Sequence, residues 1–239
     1  QYTANAQTPG GTSLEVELWL QANKVQSAVP ADGSNISLWQ DQSSKGINFV
    51  QNGTNLVPRI KYGGMNYQPS VEFYTDVESG NASSAERARK LVGASTMAIS
   101  TSKSYYSFFV SSMDETQSSA YATVLNYGGD TENNDGWRNT TDNKAIWMES
   151  VSGGSNIHST GVQKTYGIGA VVRPNTTGST NLVRLYHNGK INTNTMSRGV
   201  LTNGSNTPYI GKSNSSTENY FFGEIHEIIV LSAPTNGTY

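Results

Sequence analysis

The 239-residue sequence predicts an all-β fold, a two-sheet antiparallel β-sandwich with at most one short helix. Only 14% of the residues are charged, and the polarity comes instead from Asn, Ser, Thr and Gly, which suit turns and short strands better than long helices. Several short segments alternate apolar and polar residues with the period of two that half-buried strands require. The length fits one large sandwich domain.

The charge and the composition exclude several classes of partner. With 16 Lys and Arg against 18 Asp and Glu, the net charge of −2 provides no basic field for nucleic acid or anionic lipid. The absence of cysteine excludes disulfides, thiolate metal sites and a thiol nucleophile. No apolar run of about 18 residues predicts a membrane span. We therefore expect neither nucleic-acid binding nor membrane insertion.

The first regular element is predicted just after residue 13. Residues 1–12 are polar and contain Pro9-Gly10-Gly11, so they are expected to form a flexible tail. A strand follows, because Leu14, Val16, Leu18 and Leu20 alternate with polar or aromatic residues. Further strands are predicted at residues 36–40, 47–51, 71–74, 105–110, 122–126, 145–149, 166–173, 182–187, 208–210 and 220–231.

Two local signals refine this strand pattern. Asn188-Gly189 predicts a type I′ hairpin into a following polar strand, because both central positions of that turn need positive φ. Residues 83–91 are the one helical candidate, with Ser84 as a possible cap and Leu91 facing inward. Trp19 and Trp39 are expected to pack in the core.

Four segments resemble, in order, those of laminin-G-like, concanavalin A-like jelly-roll domains of the lectin and glucanase superfamily. They are residues 18–22 (LWLQA), 37–43 (SLWQDQS), 185–190 (LYHNGK) and 223–230 (GEIHEIIV). The resemblance is to the version at the front of large bacterial cell-surface, adhesin-like proteins, including those exported by type IX secretion. It implies a jelly-roll domain over residues 13–232, with residues 233–239 as a C-terminal tail or the start of a linker.

An extracellular location, secreted or attached to the cell surface, is expected for the same chain. The sequence begins at Gln1 rather than Met, which suits either a mature product after removal of a signal peptide or a trimmed chain. The lack of disulfides favours a bacterial exported protein, because secreted animal modules more often carry them.

The closing strand raises the question of catalysis. Jelly-roll glucanases of this superfamily use Glu-x-Asp-x-Glu or Glu-x-Asp-x-x-Glu on one strand, so that acid and nucleophile share a face. Here Glu224 and Glu227 are three positions apart, so a regular strand directs them to opposite faces, and only a bulge would bring them together. The three histidines, His158, His187 and His226, show no metal-ligand spacing. We therefore expect a protein that is not an enzyme.

The most polar loop, predicted over residues 127–137, is the candidate sugar site together with the nearby Asn139. It combines Trp137 with nearby acids and amides, and carbohydrate sites use an aromatic face together with Asn or Asp groups that bond hydroxyls. Packing that anchors the loop is an equal alternative for Trp137. The candidate ligand-binding residues are Tyr127, Asp130, Asn134, Asp135, Trp137 and Asn139.

The same loop is a candidate calcium site. Asp130, Glu132 and Asn134 provide hard oxygen ligands spaced like the opening of an EF-hand loop. The pattern departs from that loop because Gly136 stands at the seventh position instead of the sixth, and Thr141 replaces the closing Glu. A turn-rich loop without metal is the simpler interpretation, so no cofactor is required and Ca²⁺ is the one candidate ion.

These observations lead to a functional expectation with two alternatives. The expected function is that of a non-catalytic extracellular lectin-like module that mediates adhesion by binding carbohydrate. The partner is then a glycan or a surface polysaccharide. The first alternative is a structural or protein-docking terminal domain of a long surface protein, whose partner is another cell-surface protein. A glycoside hydrolase or lyase is the further alternative.

Overall fold

The computed structural model describes thirteen stretches of the chain: residues 8–28, 30–51, 57–73, 89–100, 102–114, 121–128, 134–139, 144–149, 157–158, 166–173, 181–196, 204–212 and 220–234. The strands of these stretches are β1 (Glu15–Gln21), β2 (Leu38–Trp39), β3 (Phe49–Val50), β4 (Arg59–Lys61), β5 (Ser70–Phe73), β6 (Leu91–Gly93), β7 (Met97–Ile99), β8 (Lys103–Met113), β9 (Tyr121–Asn126), β10 (Asn134–Asn139), β11 (Lys144–Glu149), β12 (Ile157–His158), β13 (Tyr166–Arg173), β14 (Asn181–His187), β15 (Lys190–Met196), β16 (Gly204–Asn206), β17 (Tyr209–Ile210) and β18 (Gly223–Pro234). Three short 3₁₀ turns cover Pro9–Gly11, Ala22–Lys24 and Met65–Tyr67.

These strands form two large sheets. The first sheet has the order β15-β14-β13-β8-β18-β5-β4, and β1 also pairs with β18. The second sheet has the order β12-β11-β10-β9-β17-β6-β3-β2, and β7 and β16 form a separate pair. The strand pairs are antiparallel. The prediction of an all-β, two-sheet antiparallel sandwich is therefore confirmed.

The core contains the alternate residues that the strands of both sheets turn inward. In β1 these are Leu18 and Leu20, and in β18 they are Ile225, Ile228 and Val230, which are all essentially without solvent exposure. Burying such apolar surface is the main favourable term in folding, at roughly 25 cal/mol per Å². In β1 the period of two in the sequence therefore identified Leu18 and Leu20 as inward-facing residues. In β18 that period is interrupted, because Ile225 and Ile228 are three positions apart.

The two tryptophans expected in the core differ in their burial. Trp39 is fully buried, as predicted, and its indole N–H donates to the Gln21 carbonyl oxygen at 3.0 Å. Trp19 is only half-buried, and its indole N–H donates to Glu227 Oε1 at 2.8 Å. The core prediction for Trp19 is therefore corrected: its ring lies on the outer side of the first sheet.

The hairpin prediction is confirmed. Asn188 and Gly189 have φ values of 47° and 79°, and His187 pairs with Lys190 across the turn. The helix was predicted over residues 83–91. Residues 83–88 lie outside the described residues, and Leu91 begins strand β6 instead of ending a helix. β6 pairs with β3 and β17, so sheet contacts decide its conformation.

The predicted polar loop is shorter than expected. Residues 134–139 form strand β10, which pairs with β9 on one side and β11 on the other. Asn, Asp and Gly disfavour strands in general, and here the two neighbouring strands override that preference. At the C-terminal end, β18 continues to Pro234, two residues beyond the predicted domain boundary, and the boundaries themselves stay a prediction.

Candidate functional site

A β-bulge in β18 determines the geometry of the closing strand. Glu224 pairs with Ser112 of β8, and Glu227 pairs with Val110, so the register shifts at His226. Because Ser112 and Val110 are two residues apart, they lie on the same face of the sheet, and so do their partners. The expectation that Glu224 and Glu227 point to opposite faces was therefore wrong.

Both carboxylates lie on the outer face of the first sheet. Ile225, Ile228 and Val230 are in the hydrophobic core, so the intervening acidic residues are directed away from the second sheet. The bulge has this effect because one extra residue restores the inside-outside alternation after a spacing of three. A sequence pattern alone does not reveal such an insertion.

Glu224 is held by its neighbours and is buried. Lys61 Nζ lies 2.6 Å from Glu224 Oε1, and the Ser70 hydroxyl donates to Oε2 at 3.0 Å. Gly64 lies so close to this carboxylate that a Cβ atom added at residue 64 would be 2.9 Å from Glu224 Oε2. Both oxygens of Glu224 are thus engaged within the protein.

His226 lies beside Glu224 and is also buried. Its Nδ1 is 3.0 Å from the Pro69 carbonyl oxygen, which only accepts, so Nδ1 carries the proton. Burial lowers the pKa of His226, although the Pro69 carbonyl and the Glu224 carboxylate act in the opposite direction. The ring is therefore neutral near pH 7, with its Nε2 buried, unbonded and 4.0 Å from Glu224 Oε2.

Glu227 is half-buried and faces a pocket. The Trp19 indole N–H and the Gln21 side-chain amide donate to its Oε1 at 2.8 and 3.2 Å. The register of β1 on β18 places these donors, since Gln21 pairs directly with Glu227 and Trp19 is two residues away on the same face. Within the described stretches, no residue bonds to Glu227 Oε2.

We call this cavity, of about 200 Å³, the Glu227 pocket. Its walls come from the end of β1, the Ala22–Lys24 turn, the segment around the Met65–Tyr67 turn, β8 and the bulge of β18. Val110, Pro69 and Ala22 supply its apolar surface. Most of the remaining wall is made of amide and carboxylate side chains: Gln21, Asn23, Asn66, Gln68 and Glu227.

Tyr67 stands at the rim of the Glu227 pocket. Its side chain is 91% exposed, and the residues on both sides of it, Asn66 and Gln68, line the pocket. Asn66 and Tyr67 have φ values of 52° and 59°, a left-handed conformation that is uncommon for a large side chain and costs about 1–3 kcal/mol each. Such strain is concentrated at functional sites in proteins, which favours a role for this turn.

The structure places three of the predicted sugar ligands in the interior. Tyr127, Asn134 and Asp135 are fully buried. The Asp135 carboxylate accepts hydrogen bonds from Arg173, Tyr127 and Ser107. Asn134 Oδ1 accepts a hydrogen bond from Asn126 Nδ2 at 2.9 Å. These three side chains have no surface for a ligand, so the structure does not bring them to a binding site.

The other predicted site residues are divided between strand β10 and the part of the chain outside the described residues. Trp137 and Asn139 belong to β10, and Asp130 and Glu132 lie outside the described residues. Of the predicted calcium ligands, Asn134 is the one described, and it is buried. In the part of the chain that the structure describes, no group of three or more His, Cys, Asp or Glu side chains could hold a metal ion. The Ca²⁺ prediction gains no support from these residues.

Comparisons with known proteins bear on the fold. No protein-family model and no curated protein matches the chain. Among solved structures, the botulinum neurotoxin serotype D binding domain is similar with a TM-score of 0.54 and 14% identity, over 92% of this chain and 48% of that chain.

No described helix is long and apolar enough to cross a membrane.

Two further neurotoxin structures show the same likeness. One concerns type C, whose cell entry depends on interaction with two ganglioside molecules (TM-score 0.53, 13% identity, 91% of this chain and 47% of that one). The other is the binding domain of neurotoxin DC in complex with rat synaptotagmin II (TM-score 0.53, 11% identity, 91% and 48%). The chain spans about half the length of these solved chains. At such identities the likeness shows the fold alone, a β-sandwich.

Proposed function

We propose that this chain is a non-catalytic lectin-like module that binds a glycan in the Glu227 pocket. The observation that carries the proposal is the combination of an exposed aromatic ring, Tyr67, with a pocket of amide and carboxylate groups beside it. A sugar ring has an apolar face that packs on an aromatic side chain and hydroxyls that bond amides and carboxylates.

The proposed setting is an extracellular, adhesin-like surface protein. The resemblance of four sequence segments to laminin-G-like jelly rolls of bacterial surface proteins supports it, with the module over residues 13–232. The structures with the same fold support a binding role, because one of them concerns ganglioside interaction and another a complex with a protein receptor. A type IX secreted adhesin is the specific form of this proposal.

The arrangement of Glu224 and Glu227 supports the non-catalytic role. Hydrolysis of a glycosidic bond generally needs two carboxyl groups that flank the bond. Glu227 lines the pocket, whereas Glu224 is buried beneath Gly64 with its oxygens bonded to Lys61 and Ser70. The bulge thus brings the two acids to one face without making both available to a substrate.

A second candidate function is docking to another protein. Ile168 of β13 and Ile191 of β15 are 51% and 55% exposed, on the same sheet that carries the pocket. The two strands are separated by β14 in the sheet, and exposed apolar side chains on one sheet face can contribute to a protein contact site. The complex of a similar fold with synaptotagmin II supports this alternative for the class.

Glycan binding by three variants tests the proposal. We expect the wild-type chain to bind oligosaccharides on a glycan array, and Tyr67→Ala to weaken the binding about three- to tenfold, the worth of an aromatic contact of about 0.5–1.5 kcal/mol. Glu227→Gln should also weaken binding, because an amide accepts a weaker hydrogen bond than a carboxylate. Titration calorimetry on each array hit measures the dissociation constants, with and without calcium.

Glu15→Gln is the matched control, because it removes the same charge from the same sheet away from the pocket. It should bind like the wild type. An array without hits in either condition would overturn glycan binding, and release of reducing sugar from a bound oligosaccharide would overturn the non-catalytic role.

A further inference from the structure

The Glu227 pocket has an unbalanced charge. Among the described residues that line the pocket, Glu227 alone carries a formal charge at neutral pH. The donors to its Oε1, the Trp19 indole and the Gln21 amide, are neutral, and no lysine or arginine pairs with it in the described stretches. A half-buried carboxylate without a cation attracts a positively charged ligand group, because the lower local dielectric strengthens the interaction.

Neither His226 nor Lys61 balances the charge of Glu227. His226 lines the pocket, yet its Nδ1 proton goes to the Pro69 carbonyl and its ring stays neutral. Lys61 pairs with Glu224 on the same face of the sheet, and its ammonium lies 2.6 Å from Glu224 and 3.8 Å from Glu72. Its charge is therefore already balanced by two other carboxylates.

Neutral hydrogen-bonding groups surround the carboxylate. The side chains of Asn23, Asn66 and Gln68 offer both donors and acceptors, which suit the hydroxyls of a sugar ring. The cavity, at about 200 Å³, is smaller than the roughly 300–1,000 Å³ of sites for drug-sized ligands, so it accommodates a single ring. The exposed Tyr67 at the rim supplies a face for that ring or for a neighbouring one.

We infer that the Glu227 pocket selects a protonated amino sugar, a hexose residue with a free ammonium group in place of a hydroxyl or acetamido group. The inference rests on the proposed function, since it specifies the glycan that this pocket takes. The ammonium donates to Glu227 Oε2, which is the oxygen left over by Trp19 and Gln21. Sugars that carry a carboxylate, such as uronic or sialic acids, are repelled by the same charge.

Three tetrasaccharides with one backbone test this selectivity. Chitosan tetramer, chitin tetramer and cellotetraose share β-1,4-linked rings and differ at carbon 2, which carries an ammonium, an acetamido or a hydroxyl group. We expect calorimetry at low salt to show the chitosan tetramer binding about tenfold more tightly than cellotetraose, because a charge-assisted hydrogen bond is about twice as strong as a neutral one. A uronic acid tetramer should bind most weakly, and added salt should reduce the preference.

The variants assign the preference to its carboxylate. Glu227→Gln, which keeps an oxygen for Trp19 and Gln21, should bring the chitosan tetramer to the affinity of cellotetraose. Glu15→Gln should retain the full preference, and thermal unfolding should confirm that both variants are folded. Equal or tighter binding of cellotetraose or chitin tetramer to the wild type would overturn the inference while glycan binding stands.

Two further outcomes are decisive. A preference for the amine that survives Glu227→Gln would place the ammonium at another site and overturn the inference. Absence of binding to all four tetramers, together with hits elsewhere on the glycan array, would overturn the inference alone. Absence of any glycan binding would overturn the proposed function as well.

Discussion

Asp135 and Arg173 form a fully buried ion pair that joins the two sheets. Arg173 Nη1 and Nη2 donate to the two carboxylate oxygens of Asp135 at 2.9 and 2.5 Å, which is bidentate geometry. The Tyr127 hydroxyl and the Ser107 hydroxyl donate to Asp135 Oδ2 at 2.9 and 2.7 Å. Burial raises the pKa of Tyr127 well above its usual value, and the Asp135 carboxylate adds to the rise. The Tyr127 phenol is therefore a hydrogen-bond donor throughout the physiological range.

Replacing Asp135 by Asn should destabilise the fold by about 3–5 kcal/mol, because Arg173 is left charged and buried without its anion. Urea unfolding followed by tryptophan fluorescence measures the change. The double variant Asp135→Leu with Arg173→Met should lose less, since it removes both buried charges together. A loss below about 1 kcal/mol for Asp135→Asn would contradict the account.

The sequence shows why this residue was misjudged as a ligand. Asp135 is surrounded along the chain by Asn, Asp, Glu and Gly, which are the residues of exposed loops. Its partner Arg173 is 38 residues away, on the other sheet. Nothing local signals that pairing, whereas the burial of Trp39 or Leu18 follows from their own hydrophobicity.

At the scale of secondary-structure elements, two register shifts matter, one in the β8–β18 pair and one in the β9–β10 pair. The bulge at His226 turns Glu224 and Glu227 to one face of β18. A second irregularity in the β9–β10 pair lies between Asp135 and Gly136, where the register shifts. At Gly136 the neighbouring strand approaches so closely that a Cβ would stand 2.0 Å from the Ala122 carbonyl oxygen.

Gly136→Ala should therefore destabilise the protein by more than about 3 kcal/mol, the upper end of the usual cost of overpacking. The clash is with backbone, which cannot yield without breaking the β9–β10 ladder. Gly189→Ala is the matched control: its φ of 79° makes alanine cost about 1–2 kcal/mol, with no atom within 4 Å of the added Cβ. Chemical unfolding of both variants measures the difference, and equal losses would refute the role of the close approach.

At the scale of the whole molecule, the first strand, β1, pairs with the last strand, β18, within the first sheet. β1 pairs with β18 from Glu15 opposite Ser232 to Gln21 opposite Glu227. An ion cluster strengthens this pairing: Lys103 Nζ lies 2.5 Å from Glu15 and 2.9 Å from Glu17, and Lys45 Nζ lies 2.5 Å from Glu15. The Ser232 hydroxyl donates to Glu17 Oε1 at 2.6 Å. The cluster therefore links segments from both ends of the chain.

The ion cluster around Glu15 should make the free energy of unfolding depend on pH in the acid range. Hydrogen bonds from Lys103 and Lys45 lower the pKa of Glu15 from 4.5 to about 2. Because the pKa is lower in the folded state, the contribution of Glu15 is present above pH 4.5 and is lost as the pH falls towards about 2. The Glu15 side chain is 45% exposed, so solvent limits the contribution to about 1 kcal/mol or less.

Comparing the wild type with Glu15→Gln across this range tests the prediction. The free energy of unfolding of the wild type should exceed that of the variant by up to about 1 kcal/mol at pH 6, and the difference should shrink between pH 4.5 and 2. Added salt should reduce it at pH 6. A difference that stays constant with pH would show that the cluster does not contribute through the Glu15 charge.

By itself the sequence determined the class of fold, the inward face of β1 and the Asn188-Gly189 hairpin. Each of these depends on local properties, namely the alternation of hydrophobic residues along a strand and the φ angles that particular residues tolerate. The jelly roll that the four segments imply is a β-sandwich, and a β-sandwich is the architecture observed.

The tertiary structure alone decided which acids are buried and which line a pocket. Asp135 is interior because Arg173 of the opposite sheet neutralises it, and Glu227 is at a pocket because a bulge shifts its register against β8. Asn66 and Gln68, the neighbours of Tyr67, line that pocket although they are more than 150 residues away from Glu227 along the chain. Such placements depend on contacts between distant segments, and therefore the spacing of residues along the sequence does not encode them in a readable form.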